Sequence, residues 1–497
     1  MPNRLSLTFF HRPAAFGLLV ALSSGLLWVG PARAHDGEHA THAAPGNPLV
    51  TAPQVTPGLE HRANFPGTGG HVARQSQRIY VGAYGSGMRI FNVADPGAPF
   101  QIGSYLPGGR ADAVPDSAIF GTRRIAVLGG TRRTSGNLPD QGRTDRTEFF
   151  DVTDPASPRL LWTFGPDQLD GESHNADIVD ARRLFLPSGG VGVQGLRIYD
   201  LRPLLWKNPS APWTLFRGDP AALWEKSPYR RGRPVGPAFT HTHDIEVYVN
   251  YPVYRNGRWV KRDIALLAEG GNYTNNDGNT GSIFVIDITN PSKPVALYRW
   301  LHSKGSSHHP IRYHHEIQFI HGLSRVALVT DEDLHNGCGN AGGAYALRFS
   351  RDLTSATELS EWFIPVGTPA PVCSVHVFSS NNGIVFFGSY NAGLQVVDYR
   401  NPAKPRLIAS AIMPGTTAWG ALYHRGYVYV GDMSRGLDVF RFNLRAALAA
   451  APAGPGYAQA ATLPLAIGWL LGLLLVPLGR RRRAALATVR SRPVGLT

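Results

Sequence analysis

The chain has 497 residues, with 56 Gly, 39 Pro, 43% hydrophobic and only 17% charged residues. It is too apolar for a disordered chain and too rich in turn formers for a helical one, so many short strands joined by tight turns are expected. The formal charge of +14 is concentrated at the ends, in Arg4, Arg12 and Arg33 and in Arg480, Arg481, Arg482, Arg483, Arg490 and Arg492. The body between them is nearly balanced, which argues against a nucleic-acid partner.

Residues 1–34 read as a secretory signal peptide: Arg4 and Arg12, an apolar run from Ala14 to Val29, then Ala32-Arg33-Ala34 as a small-residue cleavage site. Residues 35–70 follow as a tail containing His35, His39 and His42, a weak metal scavenger at most without a rigid frame. Its stretch 49–65 is a candidate strand for closing a ring.

From 71 to 442 one unit recurs. An apolar strand and a Gly-rich turn lead to a second apolar strand ending in Asp, then a Pro-containing turn and another strand. Copies run 71–106, 112–164, 173–203, 241–300, 313–365, 373–414 and 416–442. Alternating Val, Ile, Phe and Tyr suit half-buried strands, and an Asp/Asn-Pro-x-x-Pro turn fixes φ while supplying a side-chain acceptor. A four-stranded meander cannot bury both faces alone, whereas units stacked around an axis can. The expected fold is an all-β, seven-bladed β-propeller, six or eight blades being the alternatives that the irregular insertions leave open.

Residues 443–462 form an Ala/Pro/Gly linker. Residues 463–479 are an uncharged hydrophobic anchor, either a transmembrane segment or a processed sorting tail, and 480–497 are a basic tail expected on the cytoplasmic side. The body would then be exported, periplasmic or at the cell surface, and tethered to the membrane by its C-terminus.

The strings Ile283-Phe-Val-Ile-Asp and Leu394-Gln-Val-Val-Asp, with their following Pro turns, resemble the LVIVD repeat of secreted bacterial β-propeller proteins. That resemblance implies the architecture and says little of activity. An exported propeller with His at strand starts is also similar to the selenium-binding-protein and methanethiol oxidase family, which implies copper.

His recurs where the innermost strand of a unit begins: His71, His174, His241 and His243, His314 and His315, then His376, with Asp112 and Trp419 in the remaining units. Equivalent positions converge on a propeller axis, and several converging imidazoles bind copper or zinc. The expected metal ligands are His174, His243, His315 and His376, with Asp244 and Glu316 as acidic neighbours able to act as a general base. The same histidines could instead bond a neighbouring blade's backbone. Asp331-Glu332-Asp333 offers carboxylates without EF-hand spacing.

In an up-and-down meander the start of the first strand and the end of the second share one face. The long loops Thr131–Arg146, Gly270–Gly281 and Leu334–Gly343, and the connections His302–Pro310 and Trp206–Thr240, are expected there. Such a loop-rich face usually binds something, here a protein, a glycan or a small molecule. Cys338 and Cys373 fall on that face of adjacent units, so a disulfide is expected, with Cys373 as a copper thiolate the alternative. No catalytic motif is recognisable. The sequence reads as a membrane-tethered binding module that also holds a metal; the alternative is a copper-dependent exported oxidoreductase, zinc being the second choice of metal, acting on a small thiol.

Overall fold

The repeats become blades because their middle strands are apolar on both faces. The computed structural model describes residues 46–107, 114–129, 131–133, 143–145, 147–164, 175–179, 183–188, 195–233, 241–270, 281–301, 314–332, 338–339 and 342–451. Among these, the strands form six four-stranded antiparallel sheets, one five-stranded sheet and a two-stranded ribbon. The result is a β-propeller.

Blade 1 comprises Val72–Gln75, Arg78–Ala83, Gly87–Asn92 and Phe100–Tyr105. Blade 2 comprises Val114–Phe120, Arg123–Gly129, Thr147–Asp151 and Arg159–Phe164, with the ribbon Thr131–Arg133 and Arg143–Asp145 inserted. Blade 3 contains Asp177–Val179, Arg183–Ser188, Gly195–Asp200 and Trp213–Gly218. Blade 4 contains His241–Arg255, Arg258–Gly270, Ser282–Asp287 and Val295–Leu301. Blade 5 is His314–Phe319, Val326–Asp331, Ala344–Phe349 and Ala356–Trp362.

Blade 6, the five-stranded sheet, is Phe378–Asn381, Ile384–Gly388, Leu394–Asp398 and Arg406–Ile412, with Gln54–Val55 added at its rim. The remaining sheet takes Ala418–His424, Tyr427–Asp432 and Gly436–Phe442 from the C-terminal side and Leu59–Phe65 from the N-terminal side. It is called blade 7 below. Its two chain ends share one sheet, so opening the ring requires breaking a strand ladder.

The Asp that ends the third strand has a visible task. Asp151, Asp200, Asp287 and Asp398 each accept the backbone N–H two residues on at 3.0 Å, and Asn92 does so at 2.8 Å. The acceptor preceding Pro repeats the device: Asp95, Asp154, Asn290 and Asn401 accept the next-but-one N–H. These local bonds fix the turn into the outer strand.

Adjacent blades share apolar clusters around the whole ring. Tyr80, Met88 and Ile90 of blade 1 meet Ala126, Leu128 and Phe150 of blade 2, and Val72, Ile79 and Phe91 meet Tyr429, Leu437 and Val439 of blade 7. The inner strands are also stitched by polar side chains. Ile178 N donates to Asp116 (2.8 Å), Val247 N to Asp177 (2.7 Å), Phe319 N to the Tyr248 hydroxyl (2.8 Å), Phe378 N to Glu316 (2.9 Å) and Tyr423 N to Ser379 (2.8 Å). Each of these five joints uses a side chain of one blade to satisfy an inner-strand N–H of the next.

One sequence expectation is corrected. Trp206–Thr240 is not simply a loop on the site face. Its Trp213–Gly218 stretch is the outer strand of blade 3, delayed by a 3-10 turn at Arg202–Leu205, where Pro203 interrupts the chain. A short helix, α1 (Pro220–Glu225), then packs on the outer strand of blade 4, with Asp219 capping it by accepting Ala221 N at 2.7 Å. Residues 443–451 begin with a second helix, α2 (Leu444–Ala450), capped by Asn443 and buried through Ala447 against blades 6 and 7. Among the described residues no helix is long and apolar enough to cross a membrane. The leader, His35, His39, His42, Asp112, His174, 302–310 and the anchor at 463–479 lie outside the described residues.

Candidate functional site

The site is made by an irregularity repeated in successive inner strands. Pairing in blade 4 slips between Thr242 and Asp244, in blade 5 between His314 and Glu316, and in blade 7 between Ala418 and Gly420. The bulged residues are His243, His315 and Trp419. In blade 6, His376 N donates to Gly388 O (2.9 Å) while Gly388 N donates to Val377 O (3.0 Å), again two residues against one. A bulge bends the strand and re-aims its side chain; here the re-aimed rings meet near the axis.

His243 and His315 have ring centroids 4.1 Å apart, and His315 and His376 are 3.8 Å apart. All three are buried. His243 Nδ1 lies 3.0 Å from His315 O, and His376 Nδ1 lies 2.9 Å from Trp419 O. A carbonyl only accepts, so Nδ1 carries the hydrogen in both rings and Nε2 keeps its lone pair. Glu332, immediately after the second strand of blade 5, completes the group. Donor atoms of His243, His315 and Glu332 lie within 4.8 Å of one another, and His376 Nε2 is 3.6 Å from Glu332 Oε1.

The Tyr390 hydroxyl hydrogen-bonds the same Glu332 oxygen. Tyr390 is a buried bulky residue with a φ of 44°, a left-handed conformation that costs energy and persists only where the surroundings hold it. Beside the imidazoles lies an apolar wall of Val377, Tyr390, Trp419 and Met433, flanked by Tyr84 and Val372. Glu332, Tyr390, Met433 and Tyr84 all follow second strands, whereas the His and Trp419 begin first strands, so both sets lie on one face of the ring.

Of the four ligands expected from the sequence, His243, His315 and His376 are brought together, and His174 lies outside the described residues. His314 points elsewhere, stacked 5.2 Å from Trp300 of blade 4 across the joint between the two blades. Asp244 and Glu316 each follow a bulged His in sequence and serve the blade joints. Asp244 accepts Ile245 N at 2.8 Å and a bond from Asn175; Glu316 accepts Phe378 N and a bond from Gln318. Burial, reinforced by the Asp244 charge, pushes the Glu316 carboxyl well up. The sequence reading did not place Glu332 with the histidines. The signal was present, since an acidic residue at the end of a second strand must face the start of the first.

Cys338 and Cys373 form a disulfide with Cα atoms 4.9 Å apart, so Cys373 is not a thiolate ligand. The bond ties the loop six residues beyond Glu332 to the segment three residues before His376.

The fold and the axial cluster together define an all-β propeller with a polar centre at one mouth. More particularly, the family model described as the LVIVD repeat matches residues 271–300, which contain the last two strands of blade 4 up to Trp300. No curated protein matches the chain. Among solved structures, the β-propeller domain of Myceliophteria thermophila Cps50 (Swd1) is 10% identical with a TM-score of 0.44, covering 79% of this chain and 100% of that one. Saccharomyces cerevisiae Sqt1 is 8% identical, TM-score 0.43, covering 77% and 83%. The computationally designed Ika8 protein is 10% identical, TM-score 0.40, covering 77% and 98%. The fold assignment rests on the strand pairing of the chain itself.

Proposed function

We propose that this propeller is an exported, membrane-tethered binding module whose axial site holds one transition-metal ion through His243, His315, His376 and Glu332. The convergence of three buried imidazoles from successive blades on one carboxylate carries the reading. Imidazole-rich donors with a single carboxylate suit copper, with zinc second. The two Nδ1-to-carbonyl contacts are the outer-shell support that metal-binding His normally has. The bound ion would supply an open coordination position to a small ligand or to a side chain of a partner docked on the same face. The aromatic wall would exclude water from it. Export is supported by the Ala32-Arg33-Ala34 pattern and by the disulfide, which persists in oxidising compartments; tethering rests on the apolar segment at 463–479.

The test is metal content by mass spectrometry after reloading the purified protein with copper or zinc. About one equivalent per chain is expected, falling to background in His315→Ala. A wild-type protein that retains no metal after buffer exchange, or a variant that retains all of it, would end this reading.

A further inference from the structure

The end of the ring away from the imidazoles differs from the mouth in what it exposes. First strands run down from the mouth, so second strands begin at this far end, third strands finish there and outer strands set out from it. Trp213 opens the outer strand of blade 3, Trp206 lies in the connection leading to it, and Trp259 stands second in Arg258–Gly270 of blade 4. They are 47%, 49% and 50% exposed, and among the described residues no tryptophan at the mouth is exposed. Phe100, Leu160 and Val295, also exposed, stand first or second in the outer strands of blades 1, 2 and 4.

In blade 4 this end is drawn out. Pairing of the second strand with the third stops at Ile264 and Asp287, whereas the first and second strands stay paired to Arg255 and Arg258. The extra ribbon lies across blade 5: Val253 joins the buried cluster that holds Phe349 and Leu353, and Tyr254 N donates to Arg351 O at 2.9 Å. Arg258 and Lys261 on the ribbon, and Arg351 beside it, are exposed and form no ion pair among the described residues. The carboxylates of the same turns are engaged locally. Asp263 accepts Asn250 N at 2.9 Å, Asp287 lies 3.8 Å from Arg262, and Asp352 accepts the Ser350 and Thr354 hydroxyls at 2.6 and 2.8 Å. With Arg255 and Arg325 added, cations prevail here.

Exposed indoles beside unpaired cations suit the surface of an anionic bilayer, where Trp settles at headgroup level and Lys or Arg lies near the phosphates. The chain also leaves the blades at this end. Phe442 finishes the third strand of blade 7 and α2 starts beside it. Residues 452–462 span at most roughly 40 Å when extended, so an anchor at 463–479 keeps the body within reach of lipid. We propose that the far ends of blades 3 and 4 dock on an anionic phospholipid surface, with Trp206, Trp213 and Trp259 in the headgroup layer and Arg258, Lys261 and Arg351 at the phosphates. The inference rests on the tethered reading, which brings the membrane to hand. Docked in this way, the imidazole mouth opens away from the bilayer.

The test reconstitutes the full-length protein with vesicles of phosphatidylcholine, with or without phosphatidylglycerol, whose acyl chains carry bromine as a tryptophan quencher. The wild-type signal minus that of Trp259→Phe isolates the ribbon indole. That difference should be quenched at least about twofold in the anionic vesicles and recover in roughly 0.5 M NaCl, where surface charge is screened. Arg258→Gln, Lys261→Gln and Arg351→Gln together should remove the quenching at unchanged Tm, each cation being worth roughly fivefold at an anionic surface. Flotation with the vesicles reads the anchor separately. Protein that floats with both lipids but shows no quenching of Trp259 overturns the docking and leaves the tether. Protein that floats only with anionic vesicles ends the tethered reading and keeps the docking; protein that floats with neither ends both. Equal quenching in the two lipids, or quenching that survives the triple variant, overturns the assignment to anionic headgroups.

Discussion

The inner strands of blades 2 to 6 carry two kinds of polar residue, and they do different work. The carboxylates at Asp116, Asp177 and Glu316 look across a blade joint and accept the N–H of the next inner strand. The imidazoles at His243, His315 and His376 occupy bulges and turn toward one another and toward Glu332. One layer satisfies the backbone where blades meet; the other gathers donors at a mouth. A polar ring at a propeller axis is thus not one device. The bulge, which costs a ladder bond, separates the two, and blade 7 shows this by using the same bulge to place Trp419 instead of a ligand.

The largest effect should come from removing the bond that ties the loops above the imidazole layer. The chain-entropy estimate for a closed loop of this size is about 4 kcal/mol, the cysteines being 35 residues apart. Cys338→Ala with Cys373→Ala should lower stability by that order in thermal or urea unfolding. If the imidazole layer is built by its bulges, the double variant still binds metal at full stoichiometry at low temperature; if it does not, the disulfide is part of the site.

A paired substitution then separates the layers directly. Asp177→Ala strips the partner from Val247 N and should cost about 1–3 kcal/mol, the penalty for an unsatisfied buried donor, while metal content is kept. His315→Ala should do the reverse, losing the metal at little cost to the metal-free protein. Equal effects of the two on both readouts would erase the distinction. A smaller effect is expected at Tyr390. Tyr390→Phe removes the hydroxyl from Glu332 and should weaken metal affinity by roughly tenfold, the lower end for an outer-shell partner. Competition with a chelator of known affinity measures it, and unchanged affinity would show that Glu332 needs no orientation.

The sequence exposed turn chemistry well, because an Asp or Asn that bonds the N–H two residues on acts locally. It also exposed the first strands, since His243, His315 and His376 open each one after a turn. It showed Glu332 only as one carboxylate of Asp331-Glu332-Asp333, and its meeting with the histidines follows only from its place at the end of a second strand, beside the start of the first. The outer strand of blade 3 was hidden for a different reason. Pro203 and the 3-10 turn displaced Trp213–Gly218 from the spacing kept by other units. Nor could composition show that Tyr390 would sit in a left-handed backbone.

The smallest effect concerns proton binding by the carboxylate layer. Asp116 is pushed up to about 7, chiefly by burial, against the opposing pull of the Ile178 and Ser117 N–H groups. Asp177, on the neighbouring inner strand, is raised well above the usual range by burial and then by the Asp116 charge, with Asp244 adding to it. A carboxyl whose folded pKa lies above its unfolded value near 3.9 binds more protons in the native state than in the unfolded chain between the two values. Stability contributed by this layer is therefore full below about pH 4 and declines as the pH rises toward 7. Asp116→Asn keeps an oxygen acceptor and removes the titration. It should raise the Tm by a few degrees at pH 8 and change it little at pH 5. The imidazole layer provides the control, since His315→Ala in the metal-free protein should leave that difference between the two pH values intact. A Tm difference independent of pH would mean that Asp116 is ionised in its joint throughout, and the carboxylate layer would then hold the blades by charge and not by shared protons.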